Sequence, residues 1–299
     1  LISSIRVHLE KLGVDVVASD EHSISTRHKV GGDSYEIKGI ITSDFPYVSP
    51  FFYLADRSVF GLLAHVGWPR QNDLGLICSG ARDVVSLNYH IPEKVFEEAL
   101  KKARGTIEPI LTNQTENEKQ CLEEFYGHWK WAVGSKENKL FVITPQKAEI
   151  TNLMVTNIGR KTSPKFLAKP LKGHEIPHEY CLTTNLTKKV TKPHTNGIII
   201  PLTYLSLPPA PGENIKLWWS HFLSHQPDDL NSELLKAAKK IKITTCFWVV
   251  CQGKHEGQDV WFAIKAESKI RAPAPIHNDN LSSWKITPVK VDVHSRARL

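Results

Sequence analysis

The feature that most limits what this chain can become is a change of hydrophobic period near its start. Ile2, Ile5, Leu9 and Leu12 recur at spacings of three and four, which is one face of a helix, and Gly13 follows as a stop. The pattern then switches. Val14 to Ala18 and Ser23 to Val30 read as strands, and the turn signal Gly31-Gly32-Asp33 leads into a further strand through Tyr35 to Thr42. Strands joined by so short a turn run antiparallel. The prolines of Phe45-Pro46-Tyr47-Val48-Ser49-Pro50 disfavour helix at the residue before each of them, so this passage is extended or turned, and Phe51 to Leu54 is another short strand.

Residues 61–93 hold Gly, Pro, Asn and Asp without clear periodicity and read as a long ordered loop, a kind of segment that is usually functional. Pro92 suits the first turn of a helix. Phe96, Ala99, Leu100, Ala103, Ile107, Ile110 and Leu111 form its apolar stripe. The polar run Thr112 to Asn117 reads as a boundary, and a short helix is expected around Cys121 to Trp131, with Leu122, Phe125 and Trp129 on one face.

Beyond it the texture changes. Lys139 to Val155 alternates like strands, and residues 159–197 are rich in Lys, Thr, Pro and His. Gly197 to Leu207 reads as a strand. Pro208-Pro209-Ala210-Pro211-Gly212 is a break, and Ile215 to Phe222 and Ser232 to Lys240 look helical. Ile241 to Cys251 is a strongly apolar strand with Val260 to Ala266 as its hairpin partner. A chain of 299 residues has room for two domains. The expectation is α+β throughout: residues 1–131 as the first domain with an antiparallel sheet, and 132–299 as a second α+β domain.

Five cysteines, Cys78, Cys121, Cys181, Cys246 and Cys251, are odd in number and scattered, which argues against a disulfide scaffold and fits free thiols in a reducing cytoplasm. There is no signal peptide and no long apolar run, so no membrane partner is expected. The net charge of +7 comes from 38 basic and 31 acidic residues in short groups, so it is read as solvated surface and nucleic acid is not the expected partner.

The order helix, antiparallel strands, extended Pro segment, cysteine-bearing loop, helix resembles the ubiquitin-conjugating domain. Phe45-Pro46 and Pro50-Phe51 are similar to that family's "FP…P" passage, and His65 before Gly75-Leu76-Ile77-Cys78 is similar to its active-site pattern. The narrower resemblance is to bacterial conjugating domains fused to an activating-enzyme domain in CBASS-type anti-phage operons. It rests on Val84 to Pro92, on Glu123-Glu124-Phe125-Tyr126-Gly127-His128-Trp129, and on the terminal stretch with Asp292, His294 and Arg296.

The resemblance implies that Cys78 accepts the C-terminus of a ubiquitin-like or cGAS-like nucleotidyltransferase protein as a thioester and passes it to an amine. A thiolate is both a strong nucleophile and a good leaving group. On residue type alone Cys78 also fits a buried core cysteine. The family's usual His-Pro-Asn triplet reads His65-Val66-Gly67 here, which puts its oxyanion donor in question. Asn72 is the nearest substitute, against an ordinary turn residue. His65 is expected to order the loop rather than shuttle protons. Asp83 or Asp73 would orient or deprotonate the incoming amine, and Trp68 is either a loop anchor or a partner contact.

No Gly-x-Gly-x-x-Gly occurs, so no cofactor is expected in this chain, and ATP would be used by an activating (adenylation) domain acting in cis or in trans. That domain is also where a homodimer would form. The second domain would be a linker or adaptor leading to it. The alternative from another class is a non-catalytic binding or scaffold module of the same fold.

Three further signals are set aside. His174-Glu175-Ile176-Pro177-His178 has the letters of a zinc-protease motif, but Pro177 argues against the helix that chemistry needs. A zinc site from His174, His178, Cys181 and His194 lacks the usual paired spacing. Trp218-Trp219, Cys246 and Cys251 read as core residues. No metal is expected.

Overall fold

The computed structural model describes residues 1–69, 71–80, 89–134, 139–143, 149–157, 165–170 and 195–294. The chain divides into two compact units, Leu1–Glu124 and Phe125–Leu299, a division that falls earlier than the boundary expected at residue 131.

The first unit opens with α1 (Ile2–Lys11), whose Ile5 and Leu9 are fully buried, whereas Leu12 at the end of the same stripe is half exposed. Gly13 takes the left-handed backbone (φ +76°) that ends the helix, a conformation glycine adopts without strain. Strands β1 (Asp15–Ser19), β2 (Ser23–Val30), β3 (Asp33–Ile40), β4 (Phe51–Leu54) and β5 (Gly75–Leu76) form an antiparallel sheet in chain order. Val30 pairs with Asp33 across the expected Gly31-Gly32 turn.

Helix α2 (Pro92–Thr112) lies on this sheet. Phe96 meets Phe52 edge to face at 5.4 Å. The close approach requires Gly39, where a Cβ would stand 2.6 Å from the Phe96 ring. Val95, Phe96, Ala99, Leu100, Ala103, Ile107 and Ile110 are buried, and side chains of the larger of these sizes contribute roughly 1.5–3 kcal/mol each when fully removed from water. A part-buried polar contact pins the same helix to the sheet, and a buried one braces β2 beside it. Tyr35 donates to Glu108 Oε1 (2.5 Å), which also holds Arg104, and His28 pairs with Thr26 Oγ1 (2.8 Å).

One local expectation is corrected. The polar run 112–117 holds the expected boundary, since α2 ends at Thr112, but the next helix starts within it: Asn113 accepts the Glu116 N–H as an N-cap and starts α3 (Gln114–Glu123). The single helix expected around 121–131 is therefore two, α3 and α4 (Phe125–Val133).

In the second unit seven strands close into a barrel: β6 (Lys139–Ile143), β7 (Thr151–Asn157), β8 (Lys165–Pro170), β9 (Thr195–Pro201), β10 (Thr244–His255), β11 (Gln258–Ala272) and β12 (Lys285–His294), in the circular order β10-β11-β12-β6-β8-β7-β9. The unit is mixed α+β as expected, but closure was not anticipated, because the pairings β12–β6, β6–β8 and β10–β9 are parallel and join distant segments. The period-2 alternation of β10 and β11 separates two cores. Trp248, Val250, Trp261 and Ala263 point inward, with residues from the other five strands. Phe247, Val249, Cys251, Phe262 and Ile264 point outward against α4, α5 (Ile215–Ser224) and α6 (Asp228–Lys240). Trp218 and Trp219 belong to this outer core, as the sequence reading expects. Their indole N–H groups donate to Leu207 O and Pro275 O.

Candidate active site

Cys78 sits where the open sheet of the first unit is locally extended by one more piece of chain. β4 pairs with β5 through Tyr53–Leu76 and Leu54–Gly75, and the Ile77 N–H donates to Phe52 O (2.9 Å). On the opposite side, residues 65–67 pair with 76–78. The Gly67 N–H donates to Leu76 O (2.8 Å) and the Cys78 N–H to His65 O (2.7 Å), with Val66 facing Ile77. The backbone at Cys78 is therefore fixed, and alternation along the strand buries Ile77 and leaves the Cys78 side chain exposed.

Three side chains hold the 57–67 segment that supports it. Arg57 is fully buried, and it donates to Gly67 O from Nε (3.0 Å) and to Gly61 O from Nη1 (2.6 Å). Burial draws its guanidinium down to about 10, so it remains a cation at neutral pH. Its alkyl stem lies over Gly75, where a Cβ would stand 2.5 Å from Arg57 Cδ, so glycine there is a packing requirement.

The other two come from α3 and the residue that caps its C-terminus. Asn117 acts like a strand edge, with Oδ1 accepting the Ala64 N–H and Nδ2 donating to Leu62 O (both 2.9 Å). Glu124 clasps His65 twice: Oε2 accepts the His65 N–H (2.8 Å) and Oε1 lies 2.6 Å from Nδ1. The bond to Glu124 raises the His65 pKa above the usual imidazole range. His65 therefore touches both ends of the link: its N–H donates to the Glu124 carboxylate and its carbonyl accepts the Cys78 N–H.

Asn72 is exposed in a left-handed turn (φ +60°) between Trp68 and β5. Asp73 is committed elsewhere, accepting the Ser58 N–H (3.0 Å) and hydroxyl (2.5 Å). Asp83 lies outside the described residues, as do His174, His178, Cys181 and His194. Trp68 is half-buried, with its indole N–H enclosed. Sequence reasoning missed Arg57, Asn117 and Glu124. The last two are seven apart, one face of a helix, and would have stood out had 112–117 been read as a helix start.

Beside Cys78 opens a cleft of about 170 Å³. Its apolar walls are Pro50, Phe51, Phe52, Leu76, Ile77 and Ala99, and Ser49, Ser79 and Lys102 add polar groups. The other described cysteines are unlike Cys78. Cys121 and Cys251 are buried and Cys246 is half-buried, and burial raises the Cys121 thiol to about 12 and lifts those of Cys246 and Cys251, away from the thiolate form.

Residues 13–140 match the family model of prokaryotic E2 family B, the ubiquitin-conjugating type. The match covers the sheet, the Cys78 segment and helices α2 to α4, and supports a bacterial E2-like domain there with a ubiquitin-like conjugation type of function. No curated protein matches the chain. Among the described residues no helix is long and apolar enough to cross a membrane.

Proposed function

We propose that Cys78 accepts the C-terminal acyl group of a ubiquitin-like protein as a thioester and transfers it to an amine. The observation that carries this reading is an exposed cysteine on a fixed backbone at the mouth of a cleft, inside the segment that matches an E2 family. Loading exchanges one thioester for another. The Cys78 thiolate attacks the carbonyl carbon, the activating enzyme's thiolate leaves, and an amine later displaces Cys78 in the same way.

Within this proposal His65 and Glu124 are positioning residues that fix the strand carrying Cys78, and Asn72 supplies the hydrogen bond to the developing oxyanion. Asp83 receives the proton of the attacking amine. The activating domain, in cis or in trans, would supply ATP chemistry. The second unit would be the linker toward it and toward a homodimer. The donor would be a ubiquitin-like or cGAS-like nucleotidyltransferase protein in a bacterial cytoplasm, serving CBASS-type anti-phage defence. These finer assignments rest on the sequence resemblance alone.

The test is to mix the chain with a cognate activating enzyme, ATP and the modifier, and to measure intact mass. The expected product is a reductant-sensitive adduct that disappears in Cys78→Ala, with Asn72→Ala slowing discharge to amine while loading persists. A second reading, a non-catalytic module of the same fold, draws on His65-Val66-Gly67 standing where the usual triplet has its asparagine. It is the better account if an activating enzyme that loads itself leaves no adduct on Cys78.

A further inference from the structure

The cleft beside Cys78 carries two polar groups that the proposed chemistry does not use. Ser49 is 6% exposed in its wall, and its hydroxyl has no hydrogen-bond partner among the described residues. Lys102, on the exposed side of α2, brings its ammonium to the rim. Nζ lies 3.6 Å from the point where a Cβ on Gly80 would stand. Its neighbours on the helix, Lys94 and Arg104, are paired with Glu97 and Glu108, whereas no carboxylate pairs with Lys102 among the described residues.

An apolar wall, a buried hydroxyl that has no partner among the described residues, a rim cation and a nucleophilic sulfur within two residues of Gly80 are the complement of a peptide segment. Its apolar side chain would fill the wall, its backbone would satisfy Ser49, and its carboxylate would meet Lys102. Resting on the acyl-transfer reading above, we infer that the cleft selects the donor by its tail: Lys102 is a specificity residue that prefers an acidic side chain one to two positions before the acyl carbon. One to two residues of extended tail span up to about 7 Å, and Gly80, whose position Lys102 Nζ adjoins, is two residues along the chain from Cys78.

The charge is at the rim, so the preference is modest and salt-sensitive. It should be roughly fivefold at most at low ionic strength.

Synthetic peptide thioesters test this without an activating enzyme. Each ends in a glycine thioester and carries Leu upstream, and the variable position two residues before the acyl carbon is Glu, Gln or Lys. The Cys78 thiolate displaces the peptide's leaving thiolate, and intact mass with peptide mapping reads the rate and the site. The inference expects the order Glu, then Gln, then Lys in the wild type, compression of that order by salt, its retention in Lys102→Arg and its reversal in Lys102→Glu, with thermal melting confirming that both variants fold.

Equal rates for the three peptides, or a Lys102→Glu variant that changes all three by the same factor, would overturn the inference and leave acyl transfer standing. Acyl groups found on Lys102 in place of Cys78 would also overturn it. A Cys78 that takes no acyl group from any of the peptides would overturn this inference together with the acyl-transfer reading.

Discussion

The two units place cysteine in opposite ways. In the barrel, β10 is buried on both faces, and Cys251 is wholly enclosed between Val249 and the helices outside. A closed sheet has no edge, and along the middle of β10 the side chains go alternately to one core or the other. In the first unit the sheet is open. Its last strand, β5, is only two residues long, and the chain just beyond it is paired on both sides by backbone bonds while the Cys78 side chain meets solvent. The comparison teaches that the exposure of Cys78 comes from an interrupted edge. The backbone is as well satisfied at Cys78 as in the barrel, and only the side chain is left unpacked.

The sharpest way to break this comparison is to mutate one residue in each unit. Cys78→Ala should abolish acyl loading completely and shift stability by less than about 0.5 kcal/mol, as substitutions at exposed sites do. Trp248→Ala should do the reverse. It empties the barrel interior beside Phe166 (ring centroids 4.6 Å apart) and should cost about 3–5 kcal/mol in denaturant unfolding. Loading at Cys78 should persist wherever the first unit remains folded. A Trp248→Ala protein that is folded in the first unit but fails to load would show that the two units are energetically coupled.

A smaller effect separates two histidines of the first unit by the sign of their pH dependence. Burial first, and then Arg104, lower the His28 pKa from 6.5 to about 4. The unfolded chain therefore binds the extra proton between those values, so this contribution is present above about pH 6.5 and is lost as pH falls toward 4. The loss is on the order of 2–3 kcal/mol across that window, and His28→Gln should flatten it in urea titrations run at successive pH values. His65 has the opposite sign. Its pKa is raised, so the stabilisation by Glu124 is present below pH 6.5 and lost as pH rises through the folded-state value.

The smallest effect sharpens the role of the clasp itself. Glu124→Gln keeps a group able to accept the His65 N–H but removes the charge. The His65 pKa, read by NMR, should fall back toward the ordinary imidazole value, and transfer from Cys78 should slow by up to about tenfold, the order of one charged hydrogen bond. A variant that slows transfer without moving the His65 titration would place the effect of Glu124 elsewhere.

How much of this was legible in the sequence follows from the range of each interaction. The hairpin at Gly31-Gly32, the Pro92 helix start and the apolar stripe of α2 are set by neighbours in the chain, and they lie where local patterning puts them. Cys78 stood out through its flanking residues. Arg57 gave no signal, because a buried arginine has the same letter as an exposed one, and its partners Gly61 and Gly67 offer only backbone carbonyls. Asn117 and Glu124 were hidden by the polarity of 112–117, which suits a helix start as well as a loop. Closure of the barrel depends on parallel pairings such as Val249–Ile198 and Val291–Leu140, and periodicity within one segment carries no information about such distant partners.

The most direct measurement is competitive alkylation of the native chain with substoichiometric iodoacetamide, mapped by peptide mass spectrometry and followed by a loading assay. The account predicts that Cys78 is labelled before Cys121, Cys246 and Cys251, that Cys121 and Cys251 react only on unfolding, and that the chain labelled at Cys78 no longer takes up the modifier. Labelling of Cys121, Cys246 or Cys251 ahead of Cys78 in the folded protein, or undiminished loading after Cys78 is blocked, would contradict it.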